Sequence, residues 1–113
     1  MSLTTARIGS ILLVSPEGQI NSANAGAIEA ELIALVDKGE RQVVLDMSRL
    51  NYISSAGLRV VLVLAKRLKQ QQGALVLCDM PSHVHEVFDV SGFLVILTVT
   101  GTREQAIARL TAH

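Results

Sequence analysis

The stretch from Val43 to Leu68 constrains this chain more than any other: VVLDM, then SRLNY, then ISSAGLRVVLVLAKRL. VVLDM is short, apolar and β-branched, which predicts a buried strand. SRLNY reads as a short connection. From Leu58 to Ala65 the chain is apolar almost all round, which predicts a long helix covered by a sheet and its neighbours. Polarity returns at the junction, where Ser54, Ser55, Ala56 and Gly57 mark the first helical turn. Small residues there let another molecule approach the backbone. The first N–H groups of a helix lack internal partners and carry partial positive charge. A serine at this place caps the helix, or carries a phosphate that the helix end accommodates.

The remaining chain supplies strands first and then alternates helix with strand. Leu3 to Ile8 and Ile11 to Ser15 read as strands joined near Gly9 and Ser10. Ser-Pro-Glu-Gly at 15–18 is a turn signal, and Gln19-Ile20 resumes a short strand. Asn21, Ser22 and Asn24 offer caps for a helix with Ile28, Leu32, Leu35 and Val36 on one face; Gly39 stops it. After the central unit, Lys66, Arg67 and Lys69 complement the helix dipole, QQQ at 70–72 is its solvated last turn, and Gly73 ends it. Ala74–Cys78 is a further buried strand. Asp79-Met80-Pro81 is a turn, and Ser82 caps a short helix with Val84, Val87 and Phe88 inward and Gly92 at its close. Leu94–Val99 reads as a strand. Thr102-Arg-Glu-Gln105 has the form of a capping box opening a terminal helix that buries Ala106, Ile107 and Leu110. Alternation implies crossovers and a largely parallel sheet, with the initial pair antiparallel. The expected fold is α/β: one domain over residues 1–113, a mixed sheet of about four to five strands, and about four helices.

Composition narrows the function. Of 113 residues 50% are hydrophobic and only 3% aromatic, so the core must be aliphatic. Ten basic residues balance ten acidic ones, which argues against a nucleic-acid binder, as does the want of aromatic stacking platforms. Cys78 lies in ALVLC and reads as a buried thiol suited to a reducing compartment. MSLTTARIGS carries no signal-peptide pattern, and the longest apolar run, Val60–Ala65, is too short to span a bilayer. No membrane insertion and a cytoplasmic location are expected.

Catalytic constellations are not legible. A serine nucleophile needs a base and an oxyanion site, and no G-x-S-x-G elbow occurs. His83 and His85 belong to a short helix elsewhere, and two residues apart they diverge; His113 is terminal. There is no P-loop and no G-x-G-x-x-G, so neither a cofactor nor a metal is expected. Asp46 and Asn21 are the polar residues able to approach Ser55. Asp46 lies at a strand end, where open α/β sheets place their sites, though an exposed strand-end carboxylate is the plainer alternative.

The stretch VVLDMSRLNYISSAGLRVVLVLAKRLKQQQGALVLCDMPSHVHEVFDVSGF resembles the STAS domain of bacterial anti-sigma-factor antagonists, with GQIN at 18–21 and FDVSGF at 88–93 adding to the match. The resemblance implies a partner switch and not an enzyme. One serine at the start of the central helix is phosphorylated by an anti-sigma factor that is also a serine kinase of the histidine-kinase-like ATPase class. The unphosphorylated antagonist binds that partner, the phosphorylated one releases it, and a serine phosphatase resets the cycle. The family motif reads Asp-Ser-Ser/Thr-Gly-Leu. Aligned on Gly57-Leu58, it puts the phosphoacceptor at Ser55, while Ser54 replaces the family Asp and Ala56 its second hydroxyl residue. Asn21, Ser22, Asp46, Ser54, Ala56, Gly57 and Arg59 make up the implied partner-binding surface. The alternative within the family is a STAS subunit of a transporter or stress-signalling scaffold, in which Ser55 need not be modified. A small α/β enzyme is the rival from another class.

Overall fold

The computed structural model describes residues 2–111, so His113 lies outside it. The elements are β1 (Ser2–Ile8), β2 (Ile11–Ile20), α1 (Ala25–Asp37), β3 (Gln42–Asp46), β4 (Leu50–Ile53), α2 (Ser55–Gln70), β5 (Ala74–Cys78), α3 (Ser82–Val90), a 3-10 turn (Phe93–Val95), β6 (Thr98–Val99) and α4 (Arg103–Thr111). The sheet has six strands among the described residues, in the order β1-β2-β3-β5-β6, with β4 off this path and paired to β2. Only β1 and β2 run antiparallel; the other pairings are parallel. The alternation of helix and strand after residue 25 therefore does impose crossovers, as expected.

Strand alternation divides the core into two layers. On one face Leu12 and Val14, Val43 and Leu45, and Leu75 and Leu77 pack with residues of α1, α2 and α3. On the other face Ile11, Leu13, Val44, Val76 and Cys78 pack with Ala106 and Leu110 of α4. Cys78 is a buried free thiol, as its apolar run implied. Among the described residues, no helix is long and apolar enough to cross a membrane.

Four local expectations change. Ser-Pro-Glu-Gly is not a turn, because β2 continues through it and Pro16 lies opposite Leu3 of β1. Pro16 falls between Val14, the last residue paired to β3, and Gly18, the first paired to β4. Its missing N–H therefore costs no ladder bond on that side. The turn residues serve a bulge instead: the register shifts between Gly18 and Gln19, and Gly18 has φ 93°. SRLNY holds a strand, β4, with Leu50 and Ile53 buried and Asn51 and Tyr52 exposed. This adds the strand missing from a count of four to five. The run Leu94–Val99 is strand only at Thr98–Val99. Phe93, Leu94 and Leu97 turn inward at helical spacing, and Phe93 O accepts from both Ile96 N and Leu97 N. Finally, Pro81 and not Ser82 occupies the N-cap of α3, and Ser82 makes no capping bond. The expected capping box of α4 is present: Gln105 N donates to Thr102 Oγ1 at 3.1 Å and Thr102 N to Gln105 Oε1 at 3.2 Å.

The end of α2 shows a division of labour. The helix stops at Gln70, and the left-handed residue is Gln72, with φ 63°, not the glycine beside it. Gly73 is needed for space: a Cβ there would lie 2.3 Å from the carbonyl oxygen of Arg41, backbone that cannot swing aside. Ala74 N donates to that same oxygen at 2.8 Å. Gly73→Ala should therefore lower stability by about 1–3 kcal/mol, the range for overpacking. Gln72→Gly should raise it slightly by relieving the left-handed strain. Urea midpoints of the two variants measure both; an unchanged midpoint for Gly73→Ala would mean that the strand start yields.

Candidate functional site

The sheet delivers the ends of β2 and β4 side by side beneath the start of α2. Ile20 pairs with Ile53, and Ser54 N donates to Ile20 O at 2.9 Å. Three residues on, Gly57 sits directly over this pair. A Cβ on it would come within 2.6 Å of Ile53 Cγ1 and 2.9 Å of Ile20 Cγ2. Glycine thus lets the first turn of α2 rest on the two isoleucines.

The two serines divide the work of the helix start. Ser54 is the N-cap, in extended conformation, and its Oγ accepts from Gly57 N at 3.2 Å. Its carbonyl accepts from Leu58 N at 2.9 Å. Ser55 is the first helical residue and is exposed, and its hydroxyl makes no hydrogen bond among the described residues. The N–H groups of Ser55 and Ala56 have no acceptor within the helix. Arg59 stands one turn beyond Ser55, exposed and outside every ion pair among the described residues. Ala56 is half-buried and packs against the core.

Asn21 follows directly on Ile20 and is held firmly. Its Oδ1 accepts from Ala23 N at 3.0 Å and Asn24 N at 3.2 Å, while its own N–H donates to Asn24 Oδ1 at 2.8 Å. Asn24 Nδ2 donates to Gln19 O at 2.9 Å. Asn24 takes the N-cap position of α1, and Ser22 is exposed at the tip of the turn. The structure therefore brings Asn21, Ser54, Ser55, Ala56 and Gly57 together at one end of the sheet, with Ser22 and Arg59 on its margins.

Asp46 does not join them. It follows Val44 in the alternation of β3 and so faces α4, across the sheet from α2. It is 2% exposed, and its Oδ2 accepts from Arg103 Nη2 at 2.6 Å. Its Oδ1 accepts from Ser48 N at 2.9 Å, which fixes the turn into β4. Neither the approach to Ser55 nor the exposed strand-end reading describes it. Burial pushes its carboxyl up, but the bonds from Arg103 and Ser48 outweigh that and hold it below the ordinary carboxylate value. Arg103, which sequence reasoning passed over as part of the capping box, is the missing partner. The residue pair lies 57 positions apart, so no local pattern could have linked them.

Asp46, Cys78 and Asp79 also bring ligand atoms within 4.8 Å of one another. The chemistry of the set does not favour a cation. Arg103 already neutralises Asp46, and burial together with the Asp46 and Asp79 charges pushes the Cys78 thiol up to about 12. His83 lies on the short helix α3, as expected, and its Nε2 donates to the Asn51 carbonyl at 2.6 Å, docking α3 on β4.

The fold and site define a small α/β module with a bare serine hydroxyl at a helix start. The chain belongs to the STAS domain family, whose model matches residues 2–106. It is 59% identical over 108 residues to a Bordetella bronchiseptica protein named "Putative anti-sigma factor antagonist BtrV", covering 96% of this chain and 93% of that one. Solved structures share the fold. The Thermotoga maritima protein TM1081 superposes with a TM-score of 0.91 at 18% identity, over 96% of this chain and 93% of that one. SpoIIAA, an anti-sigma factor antagonist, superposes in its unphosphorylated form with a TM-score of 0.82 at 20% identity, over 99% and 98% of the two chains. The Bacillus SpoIIAA in its phosphorylated form gives 0.72 at 20% identity, over 96% and 98%.

Two outcomes follow from this geometry. Ser54→Ala should cost about 0.5–2 kcal/mol through loss of the cap, whereas Ser54→Asp should be near neutral, since a carboxylate also caps and suits the dipole. Urea denaturation decides; equal losses for both would show that the hydroxyl packs rather than caps. Asp46 has a depressed folded pKa, so its stabilisation is full above the unfolded value of about 4 and is lost as pH falls through the folded one. Asp46→Asn should lower the urea midpoint at neutral pH and flatten its decline toward about pH 3. The loss should stay below the roughly 3–5 kcal/mol of a fully buried pair, because the Arg103 side chain is 45% exposed.

Proposed function

We propose that this protein is an anti-sigma factor antagonist working as a partner switch, with Ser55 as its phosphoacceptor. One observation carries the choice of residue: of two adjacent serines, Ser54 spends its hydroxyl on the cap and Ser55 keeps its own exposed. The family membership and the names of the relatives support the wider reading. The partner in this reading is an anti-sigma factor that is also a serine kinase of the histidine-kinase-like ATPase class. It supplies ATP and the catalytic base; this chain supplies the hydroxyl and the surface around it, and acts as a binding module rather than an enzyme. A serine phosphatase restores the bare hydroxyl.

Phosphate on Ser55 adds about −1.5 to −2 charges at neutral pH. The free N–H groups of Ser55 and Ala56 and the guanidinium of Arg59 stabilise that charge in place. The domain need not rearrange to carry it. At a close interface the same group is bulky and must lose its water, and a facing carboxylate adds repulsion. Weakening binding a hundredfold takes only about 2.8 kcal/mol, which one misplaced charge supplies.

Incubation with the cognate kinase and ATP tests the assignment by mass spectrometry. Wild type and Ser54→Ala should take up phosphate, and Ser55→Ala should not. Amide NMR shifts on phosphorylation should gather around Asn21 and residues 54–59, with calorimetry showing most of the kinase affinity gone. Full labelling of Ser55→Ala, or undiminished affinity after full phosphorylation, contradicts the proposal.

A further inference from the structure

Helix α2 contains Arg59, Lys66, Arg67 and Lys69 and not one acidic residue. Arg67 pairs with Asp37 of α1 at 3.0 Å. The other three cations form no ion pair among the described residues. By helical spacing Arg59, Leu62, Lys66 and Lys69 share one face, which leads from the Ser55 end of α2 toward its far end.

That face opens into a groove of about 460 Å³ between α2 and the chain entering β6. Its apolar lining comes from Leu62 and Ala65 of α2, Leu75 of β5, and Ile96 and Leu97, and Lys66 and Lys69 line it with charge. The groove exists because β6 is short. Thr98 and Val99 pair with Val76 and Leu77, so Ala74 and Leu75 have no strand beside them on that edge. The chain that would extend β6 turns into the 3-10 helix instead. Two large side chains are left in solvent next to the gap: Ile96 is 62% exposed and Val95 is 88% exposed. An apolar groove rimmed by unpaired cations has the make-up of an interaction site.

We propose that this groove docks an acidic amphipathic helix of a protein partner, at the opposite end of α2 from Ser55. It does so whatever the state of that serine, and therefore stands apart from the switch reading. The apolar lining suits Leu, Ile or Met side chains at i, i+3, i+4 and i+7, the pattern of a helix laid in a groove. The lysines suit Glu or Asp flanking that stripe, where charge complementarity selects the partner and speeds encounter. An added strand fits less well, since the open edge spans only Ala74 and Leu75. A small anion fits less well still, since apolar residues make up most of the lining.

The test titrates the full-length, isotope-labelled protein with two synthetic peptides of about four helical turns. One carries leucines at i, i+3, i+4 and i+7 flanked by glutamates; the other has every glutamate replaced by lysine. The acidic peptide should shift amides at residues 62–75 and 95–98 and leave Asn21 and Ser55 unmoved. Combined Lys66→Glu and Lys69→Glu should weaken it at least tenfold, with a fall of only a few degrees in the thermal midpoint from the lost complement to the helix dipole. Ile96→Asp should do the same, and being at an exposed position it keeps the fold. Equal binding of the lysine peptide, shifts centred on Ser55, or no shift at millimolar peptide would overturn the proposal. So would co-sedimentation with phosphatidylserine vesicles in place of peptide binding, which assigns the groove to a membrane surface. Concentration-dependent dimerisation abolished by Ile96→Asp, again without peptide binding, assigns it to a second copy and is equally fatal.

Discussion

The close contact of Gly57 with Ile20 and Ile53 is the constraint on which the site depends. Without a side chain at 57, α2 settles its first turn onto the paired ends of β2 and β4. Ser54 then reaches Ile20 O with its N–H and Gly57 N with its hydroxyl. Any residue larger than glycine would lift the turn, and both bonds would lengthen together. The exposure of Ser55 is thus a consequence of packing two residues away, not a property of the serine itself.

The sheet separates two tasks by parity. In β3, Val43 and Leu45 face the α1–α2 layer, while Val44 and Asp46 face α4. The carboxylate that pins α4 and the β3–β4 turn therefore lies away from the surface around Ser55. Charge placed on one face of the sheet does not touch the ion pair on the other, because the apolar strands lie between them.

Much of this was legible in the chain. Short apolar runs marked β3 and β5, spacing at i, i+4, i+7 and i+8 marked α1, and the serine pair marked the start of α2 because capping is local chemistry. What escaped depended on partners distant in sequence. β4 is four residues with both ends buried and its middle exposed, a pattern that a connection can equally show. Pro16 and Gly18 signal a turn in any local reading, and only the change of neighbour along β2 makes them a bulge. The side of the sheet that Asp46 faces follows from which layer covers which parity, and nothing within VVLDM specifies that. Arg103 lay in a motif already explained by its neighbours, so its guanidinium raised no question.

The position of β4 off the main sheet has a further consequence. It is joined by backbone pairing to β2 alone, through three residue pairs, whereas the central strands are bonded on both edges. Local opening costs less where fewer ladder bonds must break. The segment that leads into Ser55 is thus the part of the sheet that opens at least cost while β2, β3 and β5 stay closed, in the manner of a hinged leaf on a fixed table.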